Sequence, residues 1–213
     1  ELLYAERDAR EVARTFQELG DVSGQHLLQL TGTSADLVRT ELLNLNAAIR
    51  NRGVGNTRLV VFYSGHADAE ALHMNGSHFP LSELKAIVKG SAAQVRLLVI
   101  DACRSGMLTR VKGVTPAPEF KLSQDAGQSA EGMAVLTSSA AGENSQESDR
   151  LRGSFFTHHL VTGLRGAADK NQDGLVSLDE AYQYTYIQTL KSSGRSLELQ
   201  HPTFEYGLKG KGG

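Results

Sequence analysis

Along this chain the apolar positions recur with two different periods, and the switches between them mark out alternating helices and strands. Ala5, Ala9, Val12, Ala13, Phe16 and Leu19 repeat at helical spacing and stop at Gly20, which predicts a first helix. A second stripe runs through Leu37, Val38, Leu42, Leu45, Ala48 and Ile49 behind a capping Ser34, and His26 to Leu30 between the two reads as a short strand. Arg58 to Ser64, Val95 to Ala102 and Met133 to Ser138 are apolar runs without a helical period, the pattern of strands covered on both faces. Asn75-Gly76, between Glu70 to Met74 and Ser77 to Phe79, is a hairpin signal, and Ser82 is placed to cap a helix over Glu83 to Lys89. Helices are expected from Ser154 to Gly166 and over Leu178 to Leu190, and a last strand over Gln200 to Tyr206.

Strands alternating with helices imply βαβ units and an α/β fold: a doubly wound, mainly parallel sheet flanked by helices. Such a sheet ordinarily begins with a strand at its centre, whereas this sequence opens on a helix, so the expectation is that the first strand is missing from this chain. The length of 213 residues, with 40% hydrophobic and 22% charged, suits one domain over 1–213. Its expected parts are 1–106, a linker loop over 107–132 rich in Gly, Pro, Ser and charge, and 133–213. A net charge of -2 gives no basic footprint for nucleic acid or an anionic membrane surface. No apolar run is long enough to span a bilayer. The single cysteine forms no internal disulfide, which suits a reducing compartment, and a cytoplasmic location is expected.

The chemistry lies where two of the apolar runs break into small and polar residues. One delivers His66 after Tyr63-Ser64-Gly65, and the other delivers Cys103 within Asp101-Ala102-Cys103-Arg104-Ser105-Gly106. In open α/β sheets the carboxyl ends of the strands are where ligands bind, and a sulfur beside an imidazole there makes a nucleophile with its proton-transfer partner. Either residue alone is more often a satisfied part of the core. A cysteine-dependent phosphatase is excluded by spacing: the position six after the cysteine, where a phosphate-cradling arginine is needed, holds Thr109, and Arg110 comes one place late. The histidines at 73, 78, 158, 159 and 201 show no ligand spacing and read as surface or core residues.

The two motifs, their order, the hairpin after the histidine and the Gly153-Ser154-Phe155-Phe156 helix start resemble the caspase-like cysteine peptidases, most closely their bacterial and metacaspase branch. The resemblance implies a caspase-like fold and a His66/Cys103 dyad that cleaves peptide bonds without a cofactor. It also implies an oxyanion hole made of the backbone N–H groups of Cys103 and of Ala67, where the family usually has glycine. Alanine would resist a left-handed backbone there. Asp101 stands where metacaspases carry an aspartate facing a basic substrate side chain, which implies an S1 pocket for Arg or Lys. That specificity makes Arg110, Lys112 and Lys121 in the linker candidate self-cleavage points. The expected partners are a protein or peptide substrate with a basic P1 residue and an upstream sensor or activator. The alternative is an inert scaffold, or a zymogen awaiting that activator.

A second motif is independent of the first. Asp169, Asn171, Asp173, Gly174, Leu175, Ser177 and Glu180 occupy the ligand and turn positions of a twelve-residue EF-hand loop, so Ca2+ is a candidate ligand through Asp169, Asn171, Asp173, Leu175, Ser177 and Glu180. The same residues also read as a polar turn followed by a Ser177/Glu180 capping box.

Overall fold

The apolar runs that lack a helical period become neighbouring strands. In a computed structural model, residues 3–20, 22–53, 57–102, 131–140, 143–195 and 199–209 are described. The strands are β1 (Arg58–Ser64), β2 (His66–Ala67), β3 (Ala71–Met74), β4 (Ser77–Pro80), β5 (Val95–Asp101), β6 (Glu131–Thr137), β7 (Glu147–Ser148), β8 (Gly153–Ser154) and β9 (Thr203–Lys209). The helices are α1 (Ala5–Leu19), α2 (Ala35–Asn51), α3 (Leu81–Lys89), α4 (Phe155–Thr162) and α5 (Leu178–Ser193). The main sheet has the order β1-β5-β6-β9, with β1, β5 and β6 parallel and β9 antiparallel to β6. β2, β3 and β4 form a small antiparallel sheet just beyond the carboxyl end of β1.

Both faces of the main sheet are covered because alternate residues of each strand point to opposite sides. Leu98 and Ile100 pack with Leu42 and Ile49 of α2, Leu84 and Val88 of α3, and Leu72 and Phe79 of the small sheet. Val99 and Leu136 pack on the other face with Phe156 and Leu160 of α4. Burying a side chain of this size stabilises the fold by about 1.5–3 kcal/mol, which makes these two clusters the main support of the sheet edge. Among the described residues no helix is long and apolar enough to cross a membrane.

Several expected elements are moved. His26 to Leu30 is no strand: a 3₁₀ turn occupies Gly24–His26, and Leu27 continues in extended backbone. A strand is defined by its ladder partners, and among the described residues β1 is the outer strand of the sheet with no partner there for this segment. α3 starts at Leu81 behind Pro80, one residue ahead of the expected Ser82 cap. α4 gives way at Gly163–Ala167 to a π-helical turn in which Gly166 adopts φ 109°. The last strand sits at Thr203–Lys209, three residues later than expected, where Thr203 pairs with Thr137. The buried side of α1 runs through Asp8, Val12 and Thr15, whereas Leu19 is exposed.

Candidate active site

β1 and β5 run parallel and in register, with Ser64 opposite Asp101. Beyond this pair the Gly65 N–H donates to the Asp101 carbonyl at 3.1 Å, which ties the two strand ends together where the apolar runs stop. His66 follows immediately as the first residue of β2 and is exposed. Ala102 is buried at the end of β5. Cys103, which follows it in sequence, and the self-cleavage candidates Arg110, Lys112 and Lys121 lie outside the described residues.

The peptide groups of Ala102 are held by two serines from the end of β6. The Ser138 hydroxyl accepts the Ala102 N–H at 3.1 Å and donates to the Ala102 carbonyl at 3.3 Å, and the Ser139 hydroxyl donates to the same carbonyl at 3.4 Å. Ala67 has an ordinary strand backbone: the positive φ values outside glycine among the described residues belong to Asn75, Arg152 and Gln172. Its side chain packs against the core. Alanine is therefore accommodated at this position without strain.

Asp101 is 3% exposed, and a buried carboxylate needs donors. Ser145 donates to its Oδ1 at 2.7 Å, while Ser154 and, at 2.6 Å, Thr157 donate to its Oδ2. Ser154 is the N-cap of α4 and accepts the Thr157 N–H at 2.8 Å, so the cap that starts the helix also fixes the carboxylate. A second carboxylate meets it from α1. Asp8 Oδ2 accepts the Ser154 N–H at 3.0 Å, and a Cβ at Gly153 would lie 2.5 Å from Asp8 Oδ1, so only glycine allows the approach. Burial and then the neighbouring Asp101 charge push the Asp8 carboxyl up from 3.8 to about 7. A third carboxylate, Glu147, accepts the N–H groups of Leu3 and Tyr4 at 3.0 and 3.1 Å. Ser64, Gly65, Asp101, Ala102, Ser145, Glu147 and Ser154 line one small pocket at this sheet edge.

Asp8, Ser145, Glu147, Ser154 and Thr157 escaped sequence reasoning, although one signal existed. Asp8 shares the buried stripe of α1 with Val12 and Thr15, and a carboxylate on the core side of a helix demands an explanation. Two of the histidines read as surface or core residues, His73 and His78, lie beside His66 in the small sheet. His66 pairs with His73 across β2 and β3, and His73 pairs with His78 across β3 and β4, with the rings of the latter two stacked at 4.5 Å. Asp68 receives the Glu70 and Ala71 N–H groups and meets His73 Nε2 at 2.8 Å. These contacts hold its carboxyl down at about 2.

The EF-hand candidates lie together in one turn, with their oxygens spent on the chain itself. Asp169 Oδ2 accepts the Gly174 N–H, Asn171 Oδ1 accepts the Asp173 N–H, and Asp173 Oδ1 accepts the Leu175 N–H. Glu180 closes a capping box with Ser177 and accepts the Lys170 N–H. One oxygen, Asp169 Oδ1, is buried without a hydrogen-bond partner. Among the described residues no three His, Cys, Asp or Glu side chains are gathered closely enough to hold a metal ion.

The family model described as caspase domain matches residues 1–201 of the chain. No curated protein matches it. The crystal structure of caspase-1 from Spodoptera frugiperda has the same fold, with a TM-score of 0.65 at 14% sequence identity, over 93% of this chain and 76% of that one.

Proposed function

The chain belongs to the caspase-domain family of cysteine peptidases, and from that premise we propose that it is an endopeptidase cutting after Arg or Lys through a Cys103/His66 dyad. The observation that supports this reading is the register of β1 and β5: the strands end with Ser64 opposite Asp101, and along the sequence His66 comes two residues after the one and Cys103 two after the other. The Cys103 thiolate attacks the scissile carbonyl carbon, and the resulting oxyanion is received by the N–H groups of Ala67 and Cys103. His66, as imidazolium, gives its proton to the leaving amine. It then removes a proton from the water that hydrolyses the thioester.

The pocket chemistry supports a basic P1 side chain. Two carboxylates, Asp101 of β5 and Glu147 of β7, line it, Asp8 of α1 lies behind them against Ser154, and Asp101 is already oriented by three hydroxyls. An acidic P1 group would meet like charge, whereas a guanidinium or ammonium would relieve it. Cleavage within the linker at Arg110, Lys112 or Lys121 follows from the same specificity.

Fluorogenic peptides ending in Arg, Lys or Asp, offered to wild type and to Cys103→Ala, test the reading. Turnover of the basic peptides by wild type alone supports it; turnover only after Asp refutes the specificity, and no turnover assigns the chain to the scaffold or zymogen class. Mass spectrometry of the linker in the same two proteins tests self-processing, which equal fragmentation would rule out.

A further inference from the structure

The last turn before His66 is arranged around one phenol. Tyr63, partly buried against the core below the sheet edge, shares its one hydroxyl proton between the carbonyl of His66, the nearer at 2.8 Å, and that of His73 at 3.0 Å. Gly65 makes this possible. A Cβ at residue 65 would lie 2.4 Å from the Tyr63 Oη and 2.7 Å from its Cζ, so the ring passes where any other side chain would stand. Burial pushes the phenol's pKa up, and the hydroxyl therefore remains a donor at every pH at which a peptidase is assayed.

The carbonyl of His66 and the N–H of Ala67 are the two ends of a single planar trans peptide, and no peptide bond among the described residues is cis. Holding the carbonyl therefore fixes the direction of the N–H. The ladder says which way that is. The Asp68 N–H donates to the Ala71 carbonyl, which makes 68 and 71 a hydrogen-bonded pair; by alternation 66 and 73 form the next such pair, and 67 and 72 lie between them unbonded. The Ala67 N–H thus points away from β3, with its backbone partner on β3 excluded by geometry. A donor placed on the carbonyl end of the same peptide also polarises it, which strengthens the N–H as a donor.

We propose that Tyr63 is a positioning residue whose hydroxyl aims and polarises the Ala67 N–H as one arm of the oxyanion hole. This rests on the peptidase reading, and it assigns the tyrosine a task distinct from packing. Gly65 serves the same task by leaving the space through which the phenol reaches the carbonyl.

The test separates acyl transfer from thiol reactivity. Alkylation of Cys103 by iodoacetamide needs a thiolate and no oxyanion hole, whereas peptide hydrolysis needs both. In Tyr63→Phe, which retains the ring, kcat is expected to fall about tenfold with KM within a factor of two, since a misaimed donor costs less than the roughly 100-fold loss of a whole one. The rate and pH profile of alkylation stay at wild-type values. Gly65→Ala, which keeps the hydroxyl and displaces it, gives the same split. Wild-type kcat in Tyr63→Phe overturns the proposal, as does an equal fall in hydrolysis and alkylation. A wild-type protein that is alkylated at Cys103 and hydrolyses no peptide refutes the peptidase reading, and this proposal with it.

Discussion

Asp101 and Glu180 are both carboxylates at the start of a helix, and they are held in opposite ways. Glu180 finds its partners within its own segment, where Ser177 lies three residues away and Lys170 ten. Asp101 arrives at the first turn of α4 from the end of β5, and its donors Ser145, Ser154 and Thr157 come from the far half of the chain, with Asp8 of α1 behind them. A contiguous turn can satisfy its polar atoms as it forms. A carboxylate assembled from distant segments must be desolvated first, and it keeps residual electrostatic stress that a ligand of the right charge can relieve. The pressure on Asp8 records that stress; the Glu180 carboxyl, held below its ordinary range by the N–H and hydroxyl of Ser177 and the N–H of Lys170, shows none of it.

The sharpest way to break this contrast is to remove the charge at the base of the pocket. Asp101→Asn should lower kcat/KM for Arg and Lys peptides by about 30-fold to about 5,000-fold, the range expected when one partner of a desolvated ion pair worth about 2–5 kcal/mol is lost. With the amide oxygen in the place of Oδ2 the Ser154 and Thr157 hydroxyls can still donate to it, and the amide NH2 in the place of Oδ1 can donate to the Ser145 hydroxyl, so the fold is expected to survive. Steady-state kinetics on the two peptides checks the effect, and unchanged selectivity would detach Asp101 from substrate recognition.

Asp8→Asn addresses the stress itself. The folded-state carboxyl titrates at about 7 against an ordinary 3.8. Between those values the unfolded chain gives up a proton that the folded chain keeps, so the stability contributed by the protonated group is complete below pH 4 and is lost as pH rises through 7. Urea unfolding should show wild type weakening across that window while Asp8→Asn stays flatter and is the more stable protein at pH 8. Binding a basic P1 group favours the ionised form of Asp8, so KM for an Arg peptide should fall from pH 6 to pH 8 in wild type and change little in the variant. Parallel stability curves would show that Asp8 is not under pressure from its neighbours.

What could be read in the sequence follows the same division. Strands β1 and β5 announce themselves because both faces are buried, which leaves an uninterrupted apolar run, and the break after each run marks the sheet edge where His66 and Asp101 lie. The turn at 169–180 is equally plain, since its spacing is local. The segment after Gly24–His26 misleads because strand propensity is local but strand formation needs a partner, and none pairs with it among the described residues. Ser145 and Glu147 are invisible for a related reason: each looks like an ordinary surface polar residue until the fold brings it to the Asp101 pocket, whereas Asp8 leaves only the faint signal of a carboxylate in line with Val12 and Thr15. Alanine at 67 stands where the family resemblance implies glycine, and the strand backbone removes the objection.

Thr157→Val probes a smaller part of the Asp101 cradle. Valine keeps the shape and removes one charge-assisted donor, while Ser145 and Ser154 remain on the carboxylate. A loss of about 1–2 kcal/mol in stability is expected, with a loss in kcat/KM for basic peptides no greater than a few-fold. An effect as large as that of Asp101→Asn would mean that the carboxylate turns away without this threonine.

The smallest expected effect, and the one that tests the other side of the contrast, concerns calcium. The buried Asp169 Oδ1 without a partner is the feature of the 169–180 loop that favours a cation. Against it stands Glu180, whose Oε2 takes both the N–H and the hydroxyl of Ser177. Calcium ligation would have to draw that carboxylate from the capping box, which contributes about 0.5–2 kcal/mol to the start of α5. A site that must undo a helix cap binds weakly, so saturating calcium should raise Tm by no more than a few degrees. Glu180→Gln separates the two roles. It retains an acceptor for the Ser177 cap and removes a calcium-ligating charge, so its Tm without calcium should stay close to wild type while the calcium response disappears. If calcium leaves the Tm of both proteins unchanged, the loop is a self-satisfied turn and Glu180 a capping residue alone. If instead calcium raises the wild-type Tm by ten degrees or more, the loop holds stress of the kind seen at Asp101, and the division between the two carboxylates fails.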